Sequence, residues 1–364
     1  MDKKTKVCFV SIFSYPLFNP DCDLTFGGAE VQISLIAKEL ARDENLDINV
    51  IVADTGQGEM EIHEGVKVHK AYKRGLGKIN ALGAPFVLYK KLKSINPDVV
   101  VCRAAGVEVG IAGFYAYKNK KKFIYSIAHF DDLTGKHSRG LRGLIYQLGF
   151  NLATNYIAQT EDQKKYLEKK TQKKISIIKN SFPAPKDLKE KMNTSKVLWI
   201  GRSVDFKRPE KFIELAELMP EKKFEMVLQK TAVQRWEELR KHARGVRNLK
   251  FIEKIPFEKI NAVFQSSSLY VNTSTEEGFP NTFIQSTMYG VPIISLNINP
   301  DNFINEYRCG VCCDDDVERM ASMINSILSD RGRYQMFSDS AKRYFSQNHD
   351  IKVNILKWKE LLKK

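Results

Sequence analysis

The stretch Ser274-Thr275-Glu276-Glu277-Gly278-Phe279-Pro280-Asn281-Thr282-Phe283-Ile284-Gln285-Ser286-Thr287-Met288-Tyr289-Gly290-Val291-Pro292 decides the reading of this chain. The apolar run Leu269-Tyr270-Val271-Asn272-Thr273 before it reads as a buried strand, and Val291-Pro292-Ile293-Ile294-Ser295-Leu296 reads as the next one. Residues 281–289 between them read as a helix. Gly278 and Pro280 make a tight turn, and Asn281 or Thr282 caps the helix start. A strand, a turn and a helix N-terminus in that order set backbone N–H groups at the C-terminal edge of a parallel sheet. That geometry holds anions, phosphate above all. The paired acids Glu276 and Glu277 stand where they reach hydroxyls on whatever carries the phosphate.

The same plan extends outward in both directions. Short Val- and Ile-rich runs at 7–13, 48–53, 66–71, 98–102, 123–128, 156–159 and 175–179 alternate with helical patterns, most clearly at 29–42. A second series follows, with strands at 197–200, 224–228, 249–252, 269–272 and 293–296. Helical patterns at 208–219, 233–243, 257–265 and 317–328 separate them. Buried strands alternating with helices predict parallel sheets, so the fold class is α/β with two doubly wound, Rossmann-like domains in series. The Pro-rich Ser181-Phe182-Pro183-Ala184-Pro185 and the charged residues after it mark the boundary. The expected divisions are a first domain at 1–182, a linker at 183–195, a second domain at 196–340 and a helical end at 341–364.

The totals bound the function. The chain has 364 residues, 43% of them hydrophobic, enough to bury two cores. No run of about 20 apolar residues predicts a membrane span. Met1-Asp2-Lys3-Lys4-Thr5-Lys6 leads straight into a strand and lacks the apolar core of a signal peptide, so the expected location is cytoplasmic. The six cysteines have no metal-ligand spacing and read as small buried hydrophobes in a reducing compartment. A formal charge of +15 points to an anionic partner. Clusters of aromatic and basic residues suited to stacking on bases are missing, so no nucleic acid is expected.

Three further motifs carry chemistry. Phe26-Gly27-Gly28-Ala29-Glu30 opens the first helix, and its glycines let backbone approach a bound group closely. It lacks the third glycine of the dinucleotide fingerprint. In Gly201-Arg202-Ser203-Val204-Asp205-Phe206-Lys207-Arg208-Pro209, Arg202 and Lys207 flank a loop between strand and helix. Two cations at a sheet edge suit the two groups of a diphosphate. His129 ends a strand and is followed by Asp131 and Asp132. Asn180 reads as hinge or cleft structure rather than chemistry. The patterns Asp21-Cys22-Asp23 and Asp314-Asp315-Asp316 do not end a strand as a metal-diphosphate motif does, so no metal is expected.

Together these motifs resemble the family 4 retaining glycosyltransferases of GT-B fold. The family's Gly-Arg, four residues, then Lys is matched by Arg202 and Lys207. Its Glu-Gly-Phe start is matched by Glu277, Gly278 and Phe279. Two positions depart from it: Gln285 replaces the second glutamate, and Ser181 the hinge glycine. The resemblance implies two Rossmann-like domains facing a cleft, with the last helix crossing back to the first. It implies a hexosyltransferase type of enzyme without cofactor or metal, fed by a UDP- or GDP-linked sugar. Gly27, Gly28, Arg202, Lys207, Glu277, Gly278, Phe279, Pro280, Asn281, Thr282 and Gln285 would bind that donor. Arg202, Lys207 and the N–H groups at 279–282 would hold its diphosphate, and Glu277 and His129 its sugar. Asp131 or Asp132 would orient the acceptor. No side chain is an obvious nucleophile, so the family implies same-face attack. Gln285 keeps an acceptor oxygen for ribose but loses the charge.

The expected acceptor is a glycan or lipid-linked sugar of the bacterial cell surface. The stretch 137–150 mixes cations with apolar residues and reads either as a membrane-surface helix or as a buried amphipathic one. The first reading places the protein peripherally on the inner face of the membrane. Two alternatives stand beside the transferase: a nucleotide-sugar 2-epimerase of the same fold, and a non-enzymatic polyanion binder.

Overall fold

In the computed structural model, residues 4–73, 78–185 and 195–363 are described, with the side chains of residues 78–82 left out. The expected linker at 183–195 lies mostly outside the described residues. The chain divides into two compact units, one of residues Met1–Ser181 and Ile351–Lys364, the other of Phe182–Asp350.

The first unit is built on eight strands: β1 (Thr5–Val10), β2 (Leu46–Asp54), β3 (Met60–His63), β4 (Val66–Lys73), β5 (Val99–Arg103), β6 (Lys122–Ser126), β7 (Asn155–Ala158) and β8 (Lys174–Ile177). They form one sheet in the order β3-β4-β2-β1-β5-β6-β7-β8. Every pairing is parallel except β3 with β4. Its helices are α1 (Gly28–Leu40), α2 (Lys78–Ile95), α3 (Val107–Lys118), α4 (Asp131–Thr134), α5 (Gly140–Leu152) and α6 (Glu161–Glu168). Alternate β1 side chains enter opposite cores, Cys8 and Val10 on one face and Val7 and Phe9 on the other. That is the two-residue period of a strand covered on both sides.

The second unit has six strands: β9 (Lys196–Arg202), β10 (Lys223–Gln229), β11 (Leu249–Ile252), β12 (Leu269–Asn272), β13 (Ile293–Ser295) and β14 (Gly310–Cys312). The order is β11-β10-β9-β12-β13-β14, and all pairs are parallel. Its helices are α7 (Pro209–Leu218), α8 (Val233–Gly245), α9 (Phe257–Gln265), α10 (Asn281–Met288), α11 (Phe303–Glu306), α12 (Val317–Ser329) and α13 (Arg331–Asn348). The last helix, α14 (Ile351–Leu362), belongs to the first unit. Ile355, Trp358, Leu361 and Leu362 enter that unit's core, and Lys359 pairs with Asp43 at 2.7 Å. The return starts at Ile351, not at residue 341, because α13 runs unbroken to Asn348.

Two strands escaped the sequence reading. β3 is a four-residue edge strand with no residue fully buried, and β14 has three residues. Neither is long enough to show a period. The first strand ends at Val10, not at residue 13, because the chain turns where Ser14 N–H donates to the Ser11 carbonyl.

Both sheets reverse their winding beside the first strand. In one unit the chain leaves β1 towards β2 and later restarts at β5 on the other side. In the other it leaves β9 towards β10 and restarts at β12. The helices diverge at such a switch point and open a crevice above the C-terminal strand ends, where ligands of doubly wound sheets bind.

Candidate functional site

The two loops expected to hold a donor follow β9 and β12, neighbours at the second unit's switch point. They are stitched together by backbone and side-chain bonds. Thr275 N–H donates to the Phe206 carbonyl at 2.8 Å. The Thr273 hydroxyl donates to the Lys207 carbonyl at 2.7 Å and accepts from Trp199 Nε1 at 2.9 Å. Arg208 is held in the left-handed region at φ 44° and donates from Nε to the Thr273 carbonyl at 2.9 Å. Those bonds aim the chemistry-bearing side chains.

Lys207 and Glu277 form an ion pair between loops 70 residues apart. Both side chains are largely buried, 16% and 12% exposed. Glu277 Oε1 also accepts from the Ser274 hydroxyl at 2.8 Å. The sequence reading gave Lys207 to phosphate and Glu277 to sugar; the structure places the two in direct contact. Arg202, at the end of β9, is half-buried, and its side chain has no acid or hydrogen-bond partner among the described residues. A cation at a sheet edge without an anion is a ready partner for phosphate.

The start of α10 differs from expectation. Its N-cap is Pro280, not Asn281 or Thr282, and no side chain caps it. Pro280 has no N–H, so it supplies a fixed φ of −60° and no donor. Thr282 instead accepts from the Tyr270 hydroxyl at 2.8 Å. Gly278 lies in the loop before the cap. Phe279 packs on Phe283, Phe303 and His349, with ring centroids 6.5, 5.2 and 4.7 Å away. This cluster fixes the loop ahead of the helix. Gln285 is 4% exposed, and its buried Nε2 has no partner among the described residues. Such a group costs stability unless something binds it.

The first unit carries the remaining residues. The Gly27 N–H donates to Glu30 Oε2 at 2.9 Å, so that donor is already occupied by a carboxylate at the N-terminus of α1; Gly28 is the helix's first residue. His129 Nδ1 accepts the Asp131 N–H at 3.2 Å, which in the neutral ring leaves the proton on Nε2. Asp131 pairs with Lys136 at 2.6 Å. Asp132 is not presented to solvent: it is 6% exposed, and Oδ2 accepts the N–H groups of Ala128 and His129 at 2.8 and 3.1 Å. Burial raises its pKa above the ordinary carboxylate value, against the pull of those two bonds. It braces the loop that carries His129.

Arg103 escaped notice in the sequence. It closes the buried run of β5, and a cation at a strand's C-terminal end was the available signal. Its guanidinium donates to Ser126 Oγ at 2.9 Å and Asn180 Oδ1 at 2.7 Å, and its buried Nε is unpaired among the described residues. Burial pushes its pKa down to about 10, although Asp132, Glu30 and Tyr125 act the other way. Among the described residues no group of three His, Cys, Asp or Glu side chains stands together as a metal site. Asp314 and Asp315 pair with Arg319 and Arg208, and Asp316 caps α12.

Comparison with known proteins agrees with this architecture. Residues 26–183 match the family model described as Glycosyltransferase Family 4, and residues 180–344 match Glycosyl transferases group 1. An uncharacterised glycosyltransferase of Haemophilus influenzae is 22% identical, over 92% of this chain and 96% of its own. One from Methanocaldococcus jannaschii is 24% identical, over 93% and 95%. The catalytic domain of starch synthase IV from Arabidopsis thaliana, solved with ADP and acarbose, has the same fold at a TM-score of 0.72, 12% identity and 99% coverage of both chains. With a matching model over each half and relatives along nearly its full length, the chain belongs to the family 4 glycosyltransferases of GT-B fold.

Proposed function

We propose that the protein is a retaining, metal-independent transferase that moves a hexose from a UDP- or GDP-linked donor to an acceptor hydroxyl. The observation that carries the reading is the Lys207–Glu277 pair at the switch point of the second sheet, with Arg202, whose side chain has no partner among the described residues, ending the strand that leads to Lys207. An arriving diphosphate supplies the anion that Arg202 lacks and competes with Glu277 for Lys207. Glu277, released in part, accepts hydrogen bonds from the donor sugar's hydroxyls. Binding thus rearranges charges already in place.

In the reaction the bond from the sugar's anomeric carbon to the diphosphate oxygen breaks, and a bond to the acceptor oxygen forms on the same face. The acceptor proton passes to the leaving diphosphate. Arg202 and Lys207 balance the charge that builds there, the role a metal ion fills elsewhere. His129 donates from Nε2 to the sugar. Arg103 is a positioning residue, tying the end of β6 to Asn180.

The acceptor is a glycan or lipid-linked sugar met at an anionic membrane surface. Among the described residues no helix is long and apolar enough to cross a membrane. On α5, Leu141, Leu144 and Leu148 are 75, 65 and 50% exposed, with Arg139 and Arg142 beside them. The other face buries Gly143, Tyr146, Gly149 and Phe150. Exposed leucines with flanking cations suit peripheral contact with anionic lipid.

Calorimetric titration with UDP, GDP and ADP tests the donor site, and the anomeric configuration of the product by NMR tests retention. One preferred nucleotide and a retained anomer are expected. Absence of binding by all three nucleotides overturns the reading.

A further inference from the structure

We propose that the first unit contains a seat for a phosphate ester at the switch point of its own sheet. Its identification as the acceptor site rests on the transferase reading above; the seat itself does not. The pocket there encloses about 500 Å³, within the range of small-molecule sites. Ile12 and Phe13, which follow β1, and Ala105 and Gly106, which follow β5, line it. These two strands flank the switch point, where a doubly wound sheet binds ligands.

The charge around the pocket is unbalanced. Lys73 at the end of β4, His137 in the loop before α5, and Arg139 and Arg142 at the start of α5 line it. Among the described residues, no acid pairs with Lys73, Arg139 or Arg142. Glu108 is the one carboxylate in the lining, and it already accepts the Tyr72 hydroxyl. Lys73, Arg139 and Arg142 are exposed at the pocket, and their like charges make it favourable to an anion. Two arginines offer the forked donors that match phosphate oxygens. The N-terminus of α3 also borders the pocket, with Glu108 in its first turn offsetting part of the helix's positive end.

The rim is held rigidly. α3 and α5 cross at Gly110 and Gly149, where backbones meet without side chains. A Cβ on Gly110 would lie 2.2 Å from the Ile145 carbonyl oxygen, and one on Gly149 would lie 2.2 Å from that of Val109. This crossing ties α5, which Arg139 caps and which carries Arg142, closely to α3. Ile12, Phe13, Pro85 and Ile111 leave an apolar wall beside the cations. The occupant is therefore a phosphate or diphosphate ester, with the wall covering the group it carries. A lipid phosphate and a soluble sugar phosphate share that chemistry.

The test is calorimetric titration of the full chain with geranyl phosphate, glucose 6-phosphate and geraniol, with UDP in parallel. The Arg139→Gln/Arg142→Gln variant is titrated alongside. At least one phosphate ester should bind, and the variant should bind it about tenfold or more weakly, with its melting temperature and UDP affinity unchanged. Binding of geranyl phosphate alone assigns the seat to a lipid acceptor, and of glucose 6-phosphate alone to a soluble one. Failure of both esters, equal affinity for geraniol and geranyl phosphate, or undiminished binding by the variant overturns the proposal. UDP binding without ester binding removes the seat and leaves the transferase reading. Ester binding without nucleotide binding does the reverse.

Discussion

Lys207 is ion-paired with Glu277, and Glu277 Oε1 is held at the same time by the Ser274 hydroxyl at 2.8 Å. Two groups that the resemblance gives to different parts of a donor therefore neutralise each other. A buried pair of this kind saves its members from unpaired charge but adds little net stability.

Glu277→Gln keeps the side chain's shape and an acceptor for Ser274 while removing the charge. Transfer should fall by about a hundredfold or more, with the protein still folded. Lys207→Ala should lose a similar factor. Initial rates with the preferred nucleotide sugar check this, and near wild-type turnover in both variants would show the assignment to be wrong.

Removing one partner should destabilise more than removing both. Glu277→Leu or Lys207→Met alone leaves a largely buried charge unpaired, at a cost of about 3 kcal/mol. The double variant should recover most of that loss. Thermal unfolding of the four proteins measures the coupling, and additive losses would mean that the pair contributes nothing as a pair.

Gln285→Glu should act oppositely on the empty and the loaded protein. The side chain is 4% exposed, so a carboxylate there lowers the melting temperature without ligand. If the group faces the donor's ribose, the carboxylate gains two charge-assisted acceptors and should tighten nucleotide binding by about tenfold. Unchanged UDP and GDP affinity would place Gln285 outside the donor site.

Asp132→Asn separates bracing from acceptor chemistry. An asparagine oxygen still accepts the Ala128 and His129 N–H groups, and the buried charge is gone. Because burial holds the Asp132 pKa above that of the unfolded chain, ionisation works against folding as the pH rises through the raised value. The variant should therefore melt higher at neutral pH and keep its transfer rate. A lost rate with fold intact would return Asp132 to the acceptor.

The first unit should weaken in mild acid through His69. Burial, helped by Lys91 and Lys67, lowers its pKa from 6.5 to about 4, and its Nε2 lies 2.9 Å from Asn49 Oδ1. A depressed folded value gives stability that is complete above about 6.5 and lost as the pH falls towards 4. His69→Gln should flatten the melting temperature across that window. An unchanged slope would assign the acid sensitivity to other groups.

Much of this protein was legible in its sequence because secondary structure is written in short periods. The apolar runs at 249–252 and 269–272 coincide with β11 and β12, and residues 257–265 with α9. The loops bearing Arg202, Lys207 and Glu277 follow strand ends, so their place at the sheet edge followed from neighbours a few residues away. Three-residue β14 and the edge strand β3 are too short for such a period, and only their pairing defines them. Strand order, which brings β9 beside β12, is a choice among distant partners, and it alone puts Lys207 against Glu277. The inward turn of Asp132, the buried Nε2 of Gln285 and the return of α14 to the first core likewise depend on which surfaces meet. Local pattern specified the elements and the residue types at their ends; packing between distant segments decided which charges are paired and which are buried.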